Sequence, residues 1–237
     1  MSCENANWIP IESNPEVIND YCKKLGLKSG AYFHDVFGLD EALLQMIPGK
    51  CMAFILLFPI SETYENFRKE EHKSLDPENY QKPDSLFFMQ QTIGNACGTI
   101  GLIHALANNR KFCQFSEDST LTNFLSTVEE LCCPAAIAEK LASDTSFANA
   151  HQSAARQGAN EYKGEQVDLH FVAIVAKEGK MFELDGRKVM PIEHGSFDEG
   201  KDDFKLKAAE VAKKFMDRDP SELRFTMLAM SDAPTVF

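Results

Sequence analysis

Four side chains, taken together, could carry covalent chemistry, and the first of them is a cysteine. Cys97 closes the polar, glycine-punctuated segment Gln91-Thr92-Ile93-Gly94-Asn95-Ala96 and opens an apolar run from Gly98 to Ala107. That order predicts a thiol in the first turn of a buried helix, where free N–H groups and the positive end of the helix dipole stabilise a thiolate. A plain core cysteine is the competing reading, because free cysteines are among the most buried residue types. A nucleophilic thiol also needs an imidazole to accept its proton, a third group to orient that imidazole, and donors for a tetrahedral oxyanion. Cys97, His170, Asp185 and Gln91 could supply all four, although residue type alone does not distinguish Gln91 from Gln90.

The pairing of His170 with Asp185 follows from a hairpin. Val167 to Lys177 and Lys180 to Lys188 read as strands joined at Glu178-Gly179, so Lys177 pairs with Lys180 and Val172 lies opposite Asp185. His170 then shares a face with Asp185 as its diagonal neighbour, a backbone separation of about 7–8 Å that an imidazole–carboxylate bond can span. A three-residue loop would put the two on opposite faces. His104 lies on the Cys97 helix face but about 10.5 Å along the axis, too far to serve as base, and reads as a core or interface residue. His34, His72, His151 and His194 show no acidic partner on a recognisable strand pair. In an unliganded state Cys97 and His170 can sit farther apart than a hydrogen bond, because such contacts often tighten only on substrate.

Other elements must position this set. Asn14-Pro15-Glu16 is an N-cap, a first-turn proline and a first-turn acid, followed by the stripe Val17, Ile18, Tyr21, Cys22 and Leu25 before Gly26. Ala53 to Pro59 reads as a buried strand and Glu62 to Ser74 as a charged, exposed helix. Thr120 to Leu131 and Ala135 to Ser143 read as helices, Phe204 to Phe215 as an amphipathic helix, and Leu223 to Ser231 as a closing strand. Asp144 to Gln166 combines small and polar residues with little periodicity and reads as a long mobile surface loop. Helices and strands alternate throughout, which predicts one mixed α/β or α+β domain.

Composition narrows the function class. The 237 residues carry a net charge of −12, which disfavours nucleic-acid phosphates and favours partners presenting positive charge. No signal peptide or stretch of about 20 apolar residues is evident, so no membrane association is expected. Seven cysteines without a Cys-x-x-Cys pair fit reduced thiols and no zinc site. The cytoplasm, with access to the nucleus, is the expected compartment.

The motifs Gln91-Thr-Ile-Gly-Asn-Ala-Cys-Gly-Thr-Ile-Gly-Leu-Ile-His, Asp168-Leu-His-Phe-Val-Ala-Ile-Val and Glu183-Leu-Asp-Gly-Arg-Lys resemble the ubiquitin carboxyl-terminal hydrolase (UCH) family, its small cytosolic isozymes above all. The opening Trp8-Ile-Pro-Ile-Glu-Ser-Asn-Pro-Glu-Val and the closing Phe215-Met-Asp-Arg-Asp-Pro-Ser-Glu-Leu-Arg-Phe extend the resemblance over essentially the whole chain. The resemblance implies a papain-like cysteine protease fold, with a mainly antiparallel central sheet flanked by helices and a knotted backbone. It implies one catalytic domain over residues 1–237, a crossover loop at about 144–166, and no regulatory C-terminal extension.

It further implies that Cys97 is the nucleophile, His170 the general base and acid, Asp185 its orienter, and Gln91 an oxyanion donor beside the Cys97 N–H. The expected reaction is hydrolysis at the C-terminal glycine of ubiquitin through a thioester, without metal or organic cofactor. The loop over the site implies small adducts, short peptides and flexible extensions as leaving groups. The resemblance places Pro10, Ile11, Glu12, Glu16 and Asp35, with Glu222, Leu223 and Phe225, against the basic, apolar-centred face of ubiquitin. It leaves the neddylation modifier open as a second substrate, and a monomer is expected. A ubiquitin-binding protein with little turnover, and an acyl or ubiquityl transferase using the same triad, are the alternatives.

Overall fold

A computed structural model describes residues 7–158, 162 and 167–235. In chain order the elements are α1 (Pro15–Lys24), β1 (Leu27–Ser29), β2 (Tyr32–Asp35), α2 (Glu41–Leu44), β3 (Cys51–Pro59), α3 (Glu62–Ser74), α4 (Cys97–Asn108) and β4 (Gln114–Phe115). They continue with α5 (Thr120–Val128), α6 (Pro134–Ser143), α7 (Thr145–Ala155), β5 (Leu169–Lys177), β6 (Lys180–Leu184), β7 (Ile192–Ser196), α8 (Phe204–Arg218) and β8 (Thr226–Ser231). Six strands form one sheet in the order β2-β8-β3-β5-β6-β7, and every neighbouring pair is antiparallel. The expected α/β class with an antiparallel sheet between helices is what the chain adopts.

Every residue of β3 is buried because β5 and β8 pair with its two edges while helices cover both sheet faces. A continuous apolar run is the sequence such a strand requires. On one face lie α1, α4, α5, α6 and α7, with Tyr21, Phe33, Phe88 and Phe147 in the core. On the other lie α2 and α8 with Tyr64 of α3, where Phe58, Tyr64 and Phe215 pack ring to ring. α1 starts as expected: the Asn14 side chain accepts the Glu16 N–H at 2.9 Å, and Pro15 takes the first helical position.

The hairpin register is the one the two-residue turn demands. Lys177 faces Lys180, and the ladder continues to Ala173 opposite Leu184. Glu178 and Gly179 have φ of 46° and 77°, the left-handed pair of a turn whose twist matches the strands. His170 therefore lies at the start of β5, and Asp185 immediately follows β6.

The expected loop over Asp144 to Gln166 needs correction. Residues Thr145–Ala155 form α7, capped by Asp144, whose carboxylate accepts the N–H groups of Ser146 and Phe147. Phe147, His151, Ala154 and Ala155 are buried at helical spacing. Two alanines and a histidine conceal an apolar stripe, which is why the segment reads as unpatterned. The remainder of the expected crossover loop falls mostly on 159–161 and 163–166, outside the described residues.

Candidate active site

Cys97 is the first residue of α4, and Ala96 before it offers no side-chain cap to the first-turn N–H groups. The approach to the helix is pinned to the N-terminal segment. Trp8 N–H bonds Gly94 O at 2.9 Å, and the Asn95 amide donates to Trp8 O at 3.0 Å. Gly94 has no freedom to carry a side chain, since a Cβ there would fall 1.6 Å from Asn7 Oδ1. Asn95 takes a left-handed φ of 60°, which turns the chain into the helix. The thiol is thus delivered to a fixed point at the positive end of α4.

Burial pushes the Cys97 thiol up, but the hydrogen bond and positive charge of His170, with the N–H groups of Phe171 and Gly98, outweigh it and leave the thiol below its ordinary value. His170 is 2% exposed, and its Nε2 lies 2.7 Å from Asp185 Oδ1. The other ring nitrogen, Nδ1, is therefore the one on the thiol side. Burial lowers the imidazolium, yet the charge and hydrogen bond of Asp185, followed by those of Cys97, lift it to about 9. Burial would raise Asp185; His170, Lys188 and the Arg187 N–H at 2.8 Å instead hold it well below the usual carboxylate range. The ring of Phe58, paired directly across the sheet, meets His170 edge on at 5.8 Å. Thiol, imidazole and carboxylate are one connected, buried relay. His170 and Cys97 are within hydrogen-bond reach of one another in this structure.

Gln91 stands beside this relay but is not aimed freely at it. Its amide donates to Ile93 O at 3.0 Å, while Oε1 is buried without a hydrogen bond among the described residues. Its backbone N–H bonds Gly186 O at 2.8 Å, and a Cβ on Gly186 would stand 3.0 Å from both Gln91 Cβ and Ile100 Cγ2. The oxyanion-donor candidate and the Asp185 turn are fastened together at van der Waals distance.

His104 is the core residue expected: its Nε2 meets the Met89 N–H at 3.1 Å, it stacks on Phe88, and burial lowers its imidazole to about 4. His194 is not the isolated histidine that sequence reading takes it for. It lies 2.9 Å from Glu183, a fully buried carboxylate on the adjacent strand. Glu183 also meets Lys188 at 2.5 Å and Arg218 at 3.8 Å, and Lys188 reaches Glu71 at 2.5 Å. Sequence reasoning missed this buried ionic cluster entirely. Its one visible signal is Glu183 lying two positions before Asp185, on the face the hairpin argument had already turned inward.

The remaining site candidates fall into two groups. Pro10, Ile11, Glu12 and Glu16 surround the start of α1; Glu16 is exposed, whereas Ile11 is only 5% exposed and packs by Gly98 under α4. Glu222, Leu223 and Phe225 line a groove of about 460 Å³ with Val36, Phe37 and Met216, and Asp35 ends the neighbouring strand. Leu223 is 85% and Phe37 69% exposed, and the latter escaped sequence reading. Arg224 braces the loop by bonding Glu222 and Asp168.

Among known proteins, the family model described as "Ubiquitin carboxyl-terminal hydrolase, family 1" matches residues 8–217. A ubiquitin carboxyl-terminal hydrolase of Drosophila melanogaster is 44% identical over 227 residues, covering 95% of this chain and 98% of its own. Ubiquitin carboxyl-terminal hydrolase isozyme L1 of Rattus norvegicus is 38% identical over 94% of this chain and 98% of its own. The crystal structure of the Trichinella spiralis UCH37 catalytic domain bound to ubiquitin vinyl methyl ester superposes with a TM-score of 0.76 at 26% identity, covering 97% of both chains.

Proposed function

The chain belongs to ubiquitin carboxyl-terminal hydrolase family 1, and from that premise we propose that it is a deubiquitinating thiol hydrolase in which Cys97, His170, Asp185 and Gln91 perform the reaction. The observation that carries the reading is the buried Cys97–His170–Asp185 relay at the start of α4. Its lowered thiol and raised imidazole favour the thiolate–imidazolium pair over the neutral pair near neutral pH.

The thiolate attacks the carbonyl carbon of the C-terminal glycine of ubiquitin, and the carbonyl π electrons move to oxygen. The Cys97 N–H and the Gln91 amide, released from Ile93 O, donate to that oxyanion. His170 Nδ1 then gives its proton to the departing amine, the carbon–nitrogen bond breaks, and a thioester remains. Water enters, His170 takes one of its protons, and the hydroxide displaces the thiolate to yield the free ubiquitin carboxylate. Asp185 stays ionised throughout and holds Nε2–H, so the ring presents Nδ1 to each transfer.

The groove of Val36, Phe37, Leu223 and Phe225, edged by Asp217 and Glu222, suits an apolar-centred basic face, and the net charge of −12 adds to that attraction. Ubiquitin is its partner, with the neddylation modifier as a second substrate. Residues 1–237 act as one catalytic domain and as a monomer. α7 takes residues 145–155 out of the expected loop. Small adducts, short peptides and flexible extensions are the leaving groups the family resemblance implies. Among the described residues no helix is long and apolar enough to cross a membrane. The site of action proposed is the cytoplasm, with access to the nucleus.

The test is turnover of ubiquitin bearing a fluorogenic C-terminal amide, with Cys97→Ala and His170→Ala beside the parent. Turnover by the parent and none by Cys97→Ala is expected. Full activity in Cys97→Ala overturns the mechanism, and tight binding of ubiquitin by an inert parent overturns the hydrolase reading.

A further inference from the structure

The four-residue turn from Asp185 to Lys188 is where the two halves of the site are joined. Asp185 itself bonds His170, and Gly186 O receives the Gln91 N–H at 2.8 Å. The Lys188 N–H bonds Asp185 O at 2.9 Å, closing the turn, and Lys188 O receives the Gln90 side-chain amide at 3.3 Å. Two side chains of the turn tie it to the body of the protein: Arg187 to Glu65 on α3, and, more deeply, Lys188, 3% exposed, with its ammonium 2.5 Å from Glu71 on α3 and 2.5 Å from Glu183 on β6. A lysine buried to that degree persists only when paired, and here both partners sit on elements that pack beside the relay.

We propose that Lys188 is a positioning residue for the hydrolysis: its ammonium, clamped between Glu71 and Glu183, fixes the turn from which both the His170 orienter and the Gln90–Gln91 strand hang. This inference rests on the assignment of the four reacting residues above. Lys188 touches neither thiol nor substrate. It sets where Asp185 stands relative to His170, and where Gln91 stands relative to the oxyanion.

The charges facing this turn decide what loss of Lys188 would look like. From α3 come Glu71, the ring of Tyr64, and Glu65, which bonds Arg187 at 2.6 Å and Arg68 at 3.1 Å. From β6 comes Glu183, from β7 His194, and from α8 Arg218. Removing one positive charge from this group would, by field alone, favour the imidazolium and move the basic limb of the pH profile upward. Losing the grip on Asp185 loosens the bond that keeps His170 protonated and moves that limb downward. The two roles therefore differ in sign.

The experiment measures kcat, KM and the pH profile of kcat/KM on the fluorogenic ubiquitin amide, with competent sites counted by ubiquitin vinyl methyl ester. Lys188→Met is compared with Lys188→Arg, and with Lys188→Met/Glu71→Gln, in which Glu183 retains His194 and Arg218. Glu71→Gln alone loosens the clamp while Glu183 still holds the lysine. Expected is a roughly tenfold fall in kcat per competent site in Lys188→Met, KM within about twofold, a basic limb displaced downward, and partial recovery in Lys188→Arg. Glu71→Gln should move the same quantities less. An unchanged kcat per competent site, or a limb displaced upward, overturns the inference, and if Lys188→Met fails to fold, the double variant, in which the two lost charges cancel, decides it by the same readings. A parent without turnover would instead refute the hydrolase assignment itself.

Discussion

Replacing Asp185 by Asn keeps the side chain's volume and removes its charge, and the consequences for His170 can be worked through. The His170 imidazolium stands at about 9 against its ordinary 6.5, in spite of burial that opposes it, with Asp185 first among the groups that raise it. At about 1.4 kcal/mol per pH unit that rise is about 3 kcal/mol of preference for the charged ring, and about 3 kcal/mol of transition-state stabilisation is roughly a hundredfold in rate. A second effect acts in the same direction. An Asn amide turned to donate toward Nε2 favours the tautomer with its proton on Nδ1, the nitrogen facing Cys97, and that ring cannot accept the thiol's proton. Asp185→Asn is therefore expected to lose about 100-fold or more in kcat/KM on the ubiquitin amide. Alkylation of Cys97 by iodoacetamide, followed across pH, reads the ion pair without substrate. The parent should show the pair persisting up to about 9, and the variant should lose it at markedly lower pH. A variant whose basic limb stays where the parent's is, or whose kcat/KM falls by less than about threefold, refutes the argument that Asp185 governs His170.

Leu223→Asp, at an 85% exposed position on the groove, should raise KM for the ubiquitin amide about tenfold while leaving kcat and iodoacetamide reactivity unchanged. Phe147→Ala empties a fully buried ring site packed on Phe124 and should cost about 3–5 kcal/mol, read as a lower urea midpoint at constant m. His104 and His151 are each lowered to about 4 by burial, so the unfolded chain binds more protons between pH 6.5 and about 4. Stability should accordingly fall as pH drops through that window, by up to about 1.4 kcal/mol per pH unit for each histidine, with a shallower fall in His151→Gln. His170 acts oppositely: its contribution is complete below 6.5 and is lost as pH rises through about 9, so Asp185→Asn should flatten the alkaline decline in urea midpoint.

The parts of the structure legible in the sequence are those specified by local chemistry. Asn14-Pro15-Glu16 announced α1, Glu178-Gly179 set the hairpin, and the change from polar loop to apolar run at Cys97 located the start of α4. α7 was hidden because its inward face is two alanines and a histidine beside a single phenylalanine, which leaves no strong periodic signal. The short strands β1, β2 and β4 are defined by partners distant in the chain and carry little pattern of their own. The buried ionic cluster was nearly as hard to read. Glu183, Lys188 and His194 share one stretch, but Glu71 and Arg218 reach them from α3 and α8, and apart from the position of Glu183 beside Asp185 nothing marks them as buried.

The Glu178-Gly179 turn lies at the end of β5 remote from His170, at a run of about 23 Å for seven residues of extended chain. It touches no reacting atom, and yet it sets the phase of the strands that bring His170 and Asp185 together. Substitution there can be tolerated as long as the left-handed pair survives. A single inserted or deleted residue cannot, because slipping the ladder by one position turns every side chain of the incoming strand to the opposite side of the sheet. In a gene encoding this protein, that surface turn should accept changes of letter and reject changes of length, behaving under mutation like part of the catalytic centre while looking like ordinary periphery.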